Sequence, residues 1–167
     1  LTILVTFGTV STRNARVFKM FEMPKLAPEE ARNRAERAAR ALAADERVKL
    51  VFLFGSAADL DRTISVRDVD LAILTGRRLT LYELLDLKAR AAREAGGEID
   101  LVPLNDASVV LVREVAVTGR CLYSDPPELE TEFVTRANMR YLDFKWYLDR
   151  QWEILGERLE ARRGVEG

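Results

Sequence analysis

One apolar residue separates two carboxylates in the stretch Asp68-Val69-Asp70-Leu71-Ala72-Ile73. On an extended chain successive side chains alternate faces, so Asp68 and Asp70 point one way and Val69, Leu71 and Ile73 point into a core. Two carboxylates about 7 Å apart on one face repel each other, and a shared cation removes the conflict. Oxygen donors with no His or Cys beside them select Mg2+ or Mn2+. Upstream, Gly55-Ser56 closes the apolar run Val51-Phe52-Leu53-Phe54. Such a strand-to-turn junction exposes backbone N–H groups, glycine permits close approach of a phosphate, and the Ser56 hydroxyl adds a donor. Phosphate donors beside a dicarboxylate describe a nucleoside triphosphate site. A third carboxylate is expected from a neighbouring strand, and Asp100, between Ile99 and Leu101, fits; Glu98 is its competitor on the same face. Three carboxylates hold two Mg2+ ions about 3.5–4 Å apart, which suits in-line phosphoryl displacement. Asp100 is also placed to take the proton of an acceptor hydroxyl.

The rest of the composition narrows the chemistry further. The chain has 167 residues, and none is histidine. That excludes Ser-His and Cys-His nucleophile pairs and imidazole zinc sites. Cys121 is the single cysteine, so no internal disulfide forms. It is read as a small core residue. Lys+Arg total 26 against 27 Asp+Glu, which disfavours broad electrostatic capture of nucleic acid or an anionic membrane. No apolar run is long enough to span a bilayer, and a secretory signal is not expected, so the reading is a reduced, cytoplasmic protein.

These residues need a scaffold, and the pattern supplies one. Pro28-Glu29-Glu30 opens a helix expected to run to about residue 45. Residues 48–54 read as a buried strand, 69–74 as a second, and 98–104 as a third that Pro103 pushes toward an edge. Thr80-Leu81-Tyr82-Glu83 is a capping box for a helix ending before Gly96-Gly97. Asn105 to Ser108 offers caps for a helix to about residue 117, and residues 121–123 form a last short strand. Asp125-Pro126-Pro127-Glu128 starts another helix, with Asp125 as cap. Its pattern reaches about residue 163, some 58 Å at 1.5 Å per residue, so a break is expected, with Asn138 and Gly156 the weakest points. Residues 1–25 have no firm period. The chain opens on Leu1, with Met20 and Met23 further in, which leaves an alternative start and a real extra strand both open.

Gly55, Ser56, Asp68, Asp70 and Asp100, in this order and on these strands, resemble the nucleotidyltransferase superfamily with a DNA polymerase beta-like core. The closest likeness is to its minimal nucleotidyltransferase branch. The resemblance covers about residues 28–125. It implies an α/β (α+β) fold: a small mixed sheet flanked by helices, with a long C-terminal helix. It departs from the family in two places. Eleven residues separate Ser56 from Asp68 where the family has about ten, and Arg67 stands where Ser or Thr is usual. Arg67 is either a phosphate ligand or a surface change without effect. Arg62, Arg77, Arg78 and Lys88 are further candidates for the triphosphate, each with solvated charge as the simpler reading.

Many members of that branch are antitoxins paired with a HEPN-domain RNase toxin. The resemblance implies transfer of AMP from ATP to a tyrosine hydroxyl of that toxin, silencing it. This chain is not the toxin half, whose Arg…His motif needs a histidine. A docking role has separate support. Ala137, Tyr141, Phe144, Leu148, Trp152, Leu155 and Leu159 make one apolar stripe, with Met139, Leu142 and Trp146 beside it. Packing on the chain's own sheet is the plainer reading; a partner surface is the favoured one. The expected organisation is therefore an N-terminal extension of unassigned role (1–25), a catalytic core (26–125) and a partner-docking helical extension (126–167). Two alternatives differ in class: transfer to a small aminoglycoside-like hydroxyl compound, and neutralisation of the partner by binding alone.

Overall fold

The computed structural model describes residues 26–58 and 68–165, with side chains through 156. Helix α1 (Pro28–Ala43) leads into strand β1 (Val48–Phe54), which ends in a 3-10 turn at Gly55–Ala57. Strand β2 (Asp70–Thr75), helix α2 (Leu81–Ala95) and strand β3 (Asp100–Pro103) follow. Helix α3 (Val109–Thr118), strand β4 (Arg120–Ser124) and helix α4 (Glu128–Val165) complete the order.

The four strands form one mixed sheet in the order β3-β2-β1-β4. The central strand β1 pairs antiparallel with β2 and β4, while β3 adds parallel to β2. Strand alternation divides the core in two. Val51, Leu53, Val69, Leu71, Ile73, Ile99 and Leu101 face α1 and α2, and Leu50, Phe52 and Ala72 face α3 and the start of α4. Val48 joins Val51 on the first face because the pairing of β1 with β2 slips between Val48 and Leu50. Helices thus cover both faces.

Small residues set the first layer. Ala31, Ala35, Ala38, Ala39 and Leu42 make the buried stripe of α1, against Leu87, Ala91 and Ala95 of α2. Alanine keeps these helices close while favouring helix throughout. The capping box of α2 is formed: Thr80 Oγ1 accepts from Glu83 N, and the Glu83 carboxylate accepts from Thr80 N at 2.8 Å. Gly96 closes α2 at φ 72°, in the left-handed region that favours glycine. Asp45, in the turn after α1, accepts hydrogen bonds from Arg47 and Arg90, tying the α1–β1 turn to α2.

Three sequence expectations are revised. Strand β3 is shorter than 98–104, because its ladder with β2 runs only from Asp70↔Asp100 to Ile73↔Pro103. Asp125 does not cap α4, which begins at Glu128; its carboxylate instead lies 3.5 Å from Lys49 Nζ, and its N–H donates to Lys49 O at 2.9 Å. Helix α4 also does not break: it runs unbroken over 38 residues. Asn138 stays within it by donating from Nδ2 to Val134 O at 3.0 Å, and a Cβ on Gly156 would meet nothing within 4 Å. The helix resolves its excess length by outrunning the core. Phe133 and Ala137 are buried, with Phe133 stacked 5.4 Å from Phe52, whereas Met139, Leu142, Trp146 and Trp152 are exposed.

Candidate active site

The junction after β1 and the facing ends of β2 and β3 bring the acidic residues together. In the sheet register Asp70 lies opposite Phe54 on one side and Asp100 on the other. Neighbouring strands are about 4.8 Å apart, so Asp70 and Asp100 are adjacent residues on parallel strands. The pairing is fixed by the Asp100 N–H, which donates to Val69 O at 2.9 Å. Side-chain alternation then puts Ile99 and Leu101 in the core with Val69 and Leu71, and leaves the two aspartates off that face.

Gly55 has a specific steric reason to be glycine. Its φ is 68°, and a Cβ built there would stand 2.5 Å from Asp70 Oδ2. The Gly55 backbone and the Asp70 carboxylate are therefore in direct van der Waals contact. Ser56 follows, exposed, and the turn is closed by Ala58 N donating to Gly55 O at 3.2 Å. Gly55 thus lies against Asp70, with Ser56 next to it in the turn.

Burial pushes the Asp70 carboxyl above its ordinary pKa, and the charges of Asp100 and then Asp68 push it the same way. This is the electrostatic signature of carboxylates gathered without enough positive charge. Asp68 lies just before β2 and is exposed, while Val69 after it is buried with Leu71 and Ile73. It lines a pocket of about 410 Å3 together with Glu98, Asp100 and Lys88. Lys88 Nζ donates to Asp100 Oδ1 at 2.9 Å. Among the described residues, no three His, Cys, Asp or Glu side chains converge closely enough to hold an ion as they stand. The donor set still fits a hard divalent cation, being all oxygen and carrying a carboxyl whose proton affinity is raised by burial and then by its acidic neighbours.

The other candidates separate clearly. Arg77 pairs with Glu83, and Arg78 Nε lies 2.7 Å from Asp106 Oδ1, both occupied away from the aspartates. Arg62 and Arg67 lie outside the described residues. Glu98 lines the pocket but lies before β3, outside the ladder with β2, and Asp100 alone holds the register position beside Asp70. Cys121 is half-buried, and burial, with Glu130 nearby, pushes its thiol up to about 11, so it is no nucleophile at neutral pH. Tyr141 packs under Arg113, whose guanidinium carbon lies 4.2 Å from the ring centre. No described helix is long and apolar enough to cross a membrane.

Against known proteins, a family model described as "Polymerase beta, Nucleotidyltransferase" matches residues 36–128. No curated protein matches the chain. Among solved structures, a toxin–antitoxin complex with AMP-PNP is 26% identical, with TM-score 0.58, covering 71% of this chain and 94% of the other. A toxin–antitoxin MntA–HpeT structure carrying two Asp-to-Glu changes is 25% identical, with TM-score 0.58 and the same coverage of 71% and 94%. The tri-AMPylated Shewanella oneidensis HEPN toxin in complex with MNT antitoxin matches at 21% identity and TM-score 0.52, covering 73% of this chain and 98% of the other. That third likeness is one of fold.

Proposed function

The chain belongs to the polymerase beta nucleotidyltransferase family, and we propose that it is an antitoxin that transfers AMP from ATP to a tyrosine hydroxyl of a cognate HEPN-domain toxin. The observation that carries the reading is the register pairing of Asp70 with Asp100 beside the Gly55-Ser56 turn, inside the segment the family model matches. The likeness to a toxin–antitoxin structure holding AMP-PNP supports ATP as the donor. AMP on a HEPN toxin is what the Shewanella complex is described as carrying.

In this reading Gly55 and Ser56 hold triphosphate oxygens through main-chain N–H groups and the Ser56 hydroxyl. Arg67 is kept as a phosphate ligand. Asp68, Asp70 and Asp100 would hold Mg2+, two ions in the full site, and the metal would neutralise charge on the triphosphate and on the attacking oxygen. The tyrosine oxygen attacks the α-phosphorus, the bond to the bridging oxygen breaks, and pyrophosphate leaves. Asp100, an exposed carboxylate in register with Asp70, takes the tyrosine proton. Domain roles follow: residues 26–125 do the chemistry and 126–167 dock the partner. The exposed Trp146 and Trp152 on α4 favour a macromolecular acceptor over a small one. The test is incubation with α-labelled ATP, Mg2+ and the partner. Label on the partner is expected, and its absence with a partner that still binds would favour neutralisation by contact alone.

A further inference from the structure

Lys88 is the cation of the pocket, and the proposed chemistry leaves it without a task. It follows the fully buried Leu87 on α2, so its position is set by the core, while its own side chain is 41% exposed. The pocket beside it presents Asp68, Glu98 and Asp100, and Lys88 is the one cation among the described residues that line it. Its Nζ donates to Asp100 Oδ1 at 2.9 Å, the carboxylate in register with Asp70. The other described lysines are committed elsewhere, Lys49 to Asp125 and Lys145 to Asp149.

A metal cation and an ammonium cannot share one carboxylate oxygen without strong repulsion. Metal that coordinates Asp100 through Oδ1 therefore takes the place the Lys88 ammonium holds. The displaced ammonium sits on a flexible four-carbon stem beside a site that admits a highly charged anion together with the metal. We propose that Lys88 is a placeholder cation: in the free protein it holds Asp100, and when metal and nucleotide enter it yields that carboxylate and moves to an oxygen of the triphosphate. This rests on the nucleotidyl-transfer reading above. It makes Lys88 a positioning residue whose removal has opposite effects on the two ligands. Without nucleotide, Lys88 competes with metal; with nucleotide, it assists binding.

The test uses the full chain and two titrations. Free Mn2+ is followed by electron paramagnetic resonance without nucleotide, and a fluorescent non-hydrolysable ATP analogue is titrated in Mg2+. Lys88→Met is expected to tighten Mn2+ about two- to fivefold, the scale of a half-exposed ion pair. It is expected to weaken the nucleotide about tenfold, the scale of one charge-assisted hydrogen bond. Lys88→Arg is expected to restore nucleotide affinity to within about threefold of wild type, because it keeps the charge. Circular dichroism of each variant checks that the fold is intact. Failure of Lys88→Met to move the two affinities in opposite directions overturns the placeholder role. If wild type binds both ligands and the variant changes neither, that role alone falls. If wild type binds neither, the nucleotidyl-transfer reading falls and takes this inference with it.

Discussion

At the residue scale the account turns on Asp70. Its ionisation is unfavourable in the folded protein, because burial and two acidic neighbours raise its proton affinity. The sign of the linkage follows. In the folded state the carboxyl keeps its proton to higher pH than its ordinary value of 3.8, so ionisation costs stability fully above the folded pKa and not at all below about 3.8. Asp70→Asn is therefore expected to raise the melting temperature at neutral pH, with the gain shrinking as pH falls through the folded pKa. Nucleotide transfer by the same variant is expected to fall at least about a hundredfold, since a charged ligand is lost without change of shape. A calorimetric pH series and α-labelled ATP check the two halves. Gly55→Ala is the steric counterpart. A methyl 2.5 Å from Asp70 Oδ2, at a positive φ, costs about 1–2 kcal/mol and moves the carboxylate, so both stability and transfer should fall. Much of this was legible in the chain. Gly-Ser after an apolar run, Asp-x-Asp at a strand start and Asp100 between two core residues were enough to name the set. The contact of Gly55 with Asp70 and the ion pair of Lys88 with Asp100 were not legible. They join residues brought close only by sheet register and helix docking, and nothing in local spacing distinguishes Lys88 from any solvated lysine.

At the element scale, the start and end of α2 followed their sequence signals because those signals act within a few residues. Thr80 and Glu83 form the box their spacing predicts, and Gly96 ends α2. Where the outcome depended on a distant partner, local chemistry misled. Asp125 has the composition of a cap, yet Lys49 on β1 claims its carboxylate and the helix starts later. The turn between α1 and β1 supplies a testable consequence. Asp45 is held far below its ordinary pKa, first by its hydrogen bond to Arg47 and then by Arg90, and Glu83 likewise by Arg77 and Thr80. A depressed carboxyl contributes stability present above its unfolded pKa and lost as pH falls through the folded one. Wild type should therefore lose stability progressively below about pH 4. Asp45→Asn should be destabilised at pH 7, with its deficit relative to wild type narrowing in acid. Urea melts at a series of pH values measure this.

At the scale of the whole molecule, the feature to explain is a 38-residue helix that leaves its own core near Ala137 and carries exposed Trp146 and Trp152, 69% and 70% accessible, beyond it. Sequence periodicity identified the apolar stripe but expected a break, because it had no measure of how much helix the core would cover. Trp146→Ala/Trp152→Ala is expected to leave thermal unfolding unchanged, since neither side chain is buried. Buried aromatic anchors at interfaces contribute about 2 kcal/mol or more each, so affinity for the proposed HEPN partner should fall about thirtyfold or further for each substitution taken singly, by calorimetric titration. The near balance of 26 basic and 27 acidic residues suits a protein partner better than a long nucleic acid. The central claim, that this is an AMP-transferring antitoxin and not a passive binder, is tested most directly by the intact mass of the HEPN partner after incubation with the protein, ATP and Mg2+. The account requires one or more added AMP units on a tyrosine, absent when Asp70→Asn replaces wild type. A partner that binds tightly yet keeps its unmodified mass would contradict it.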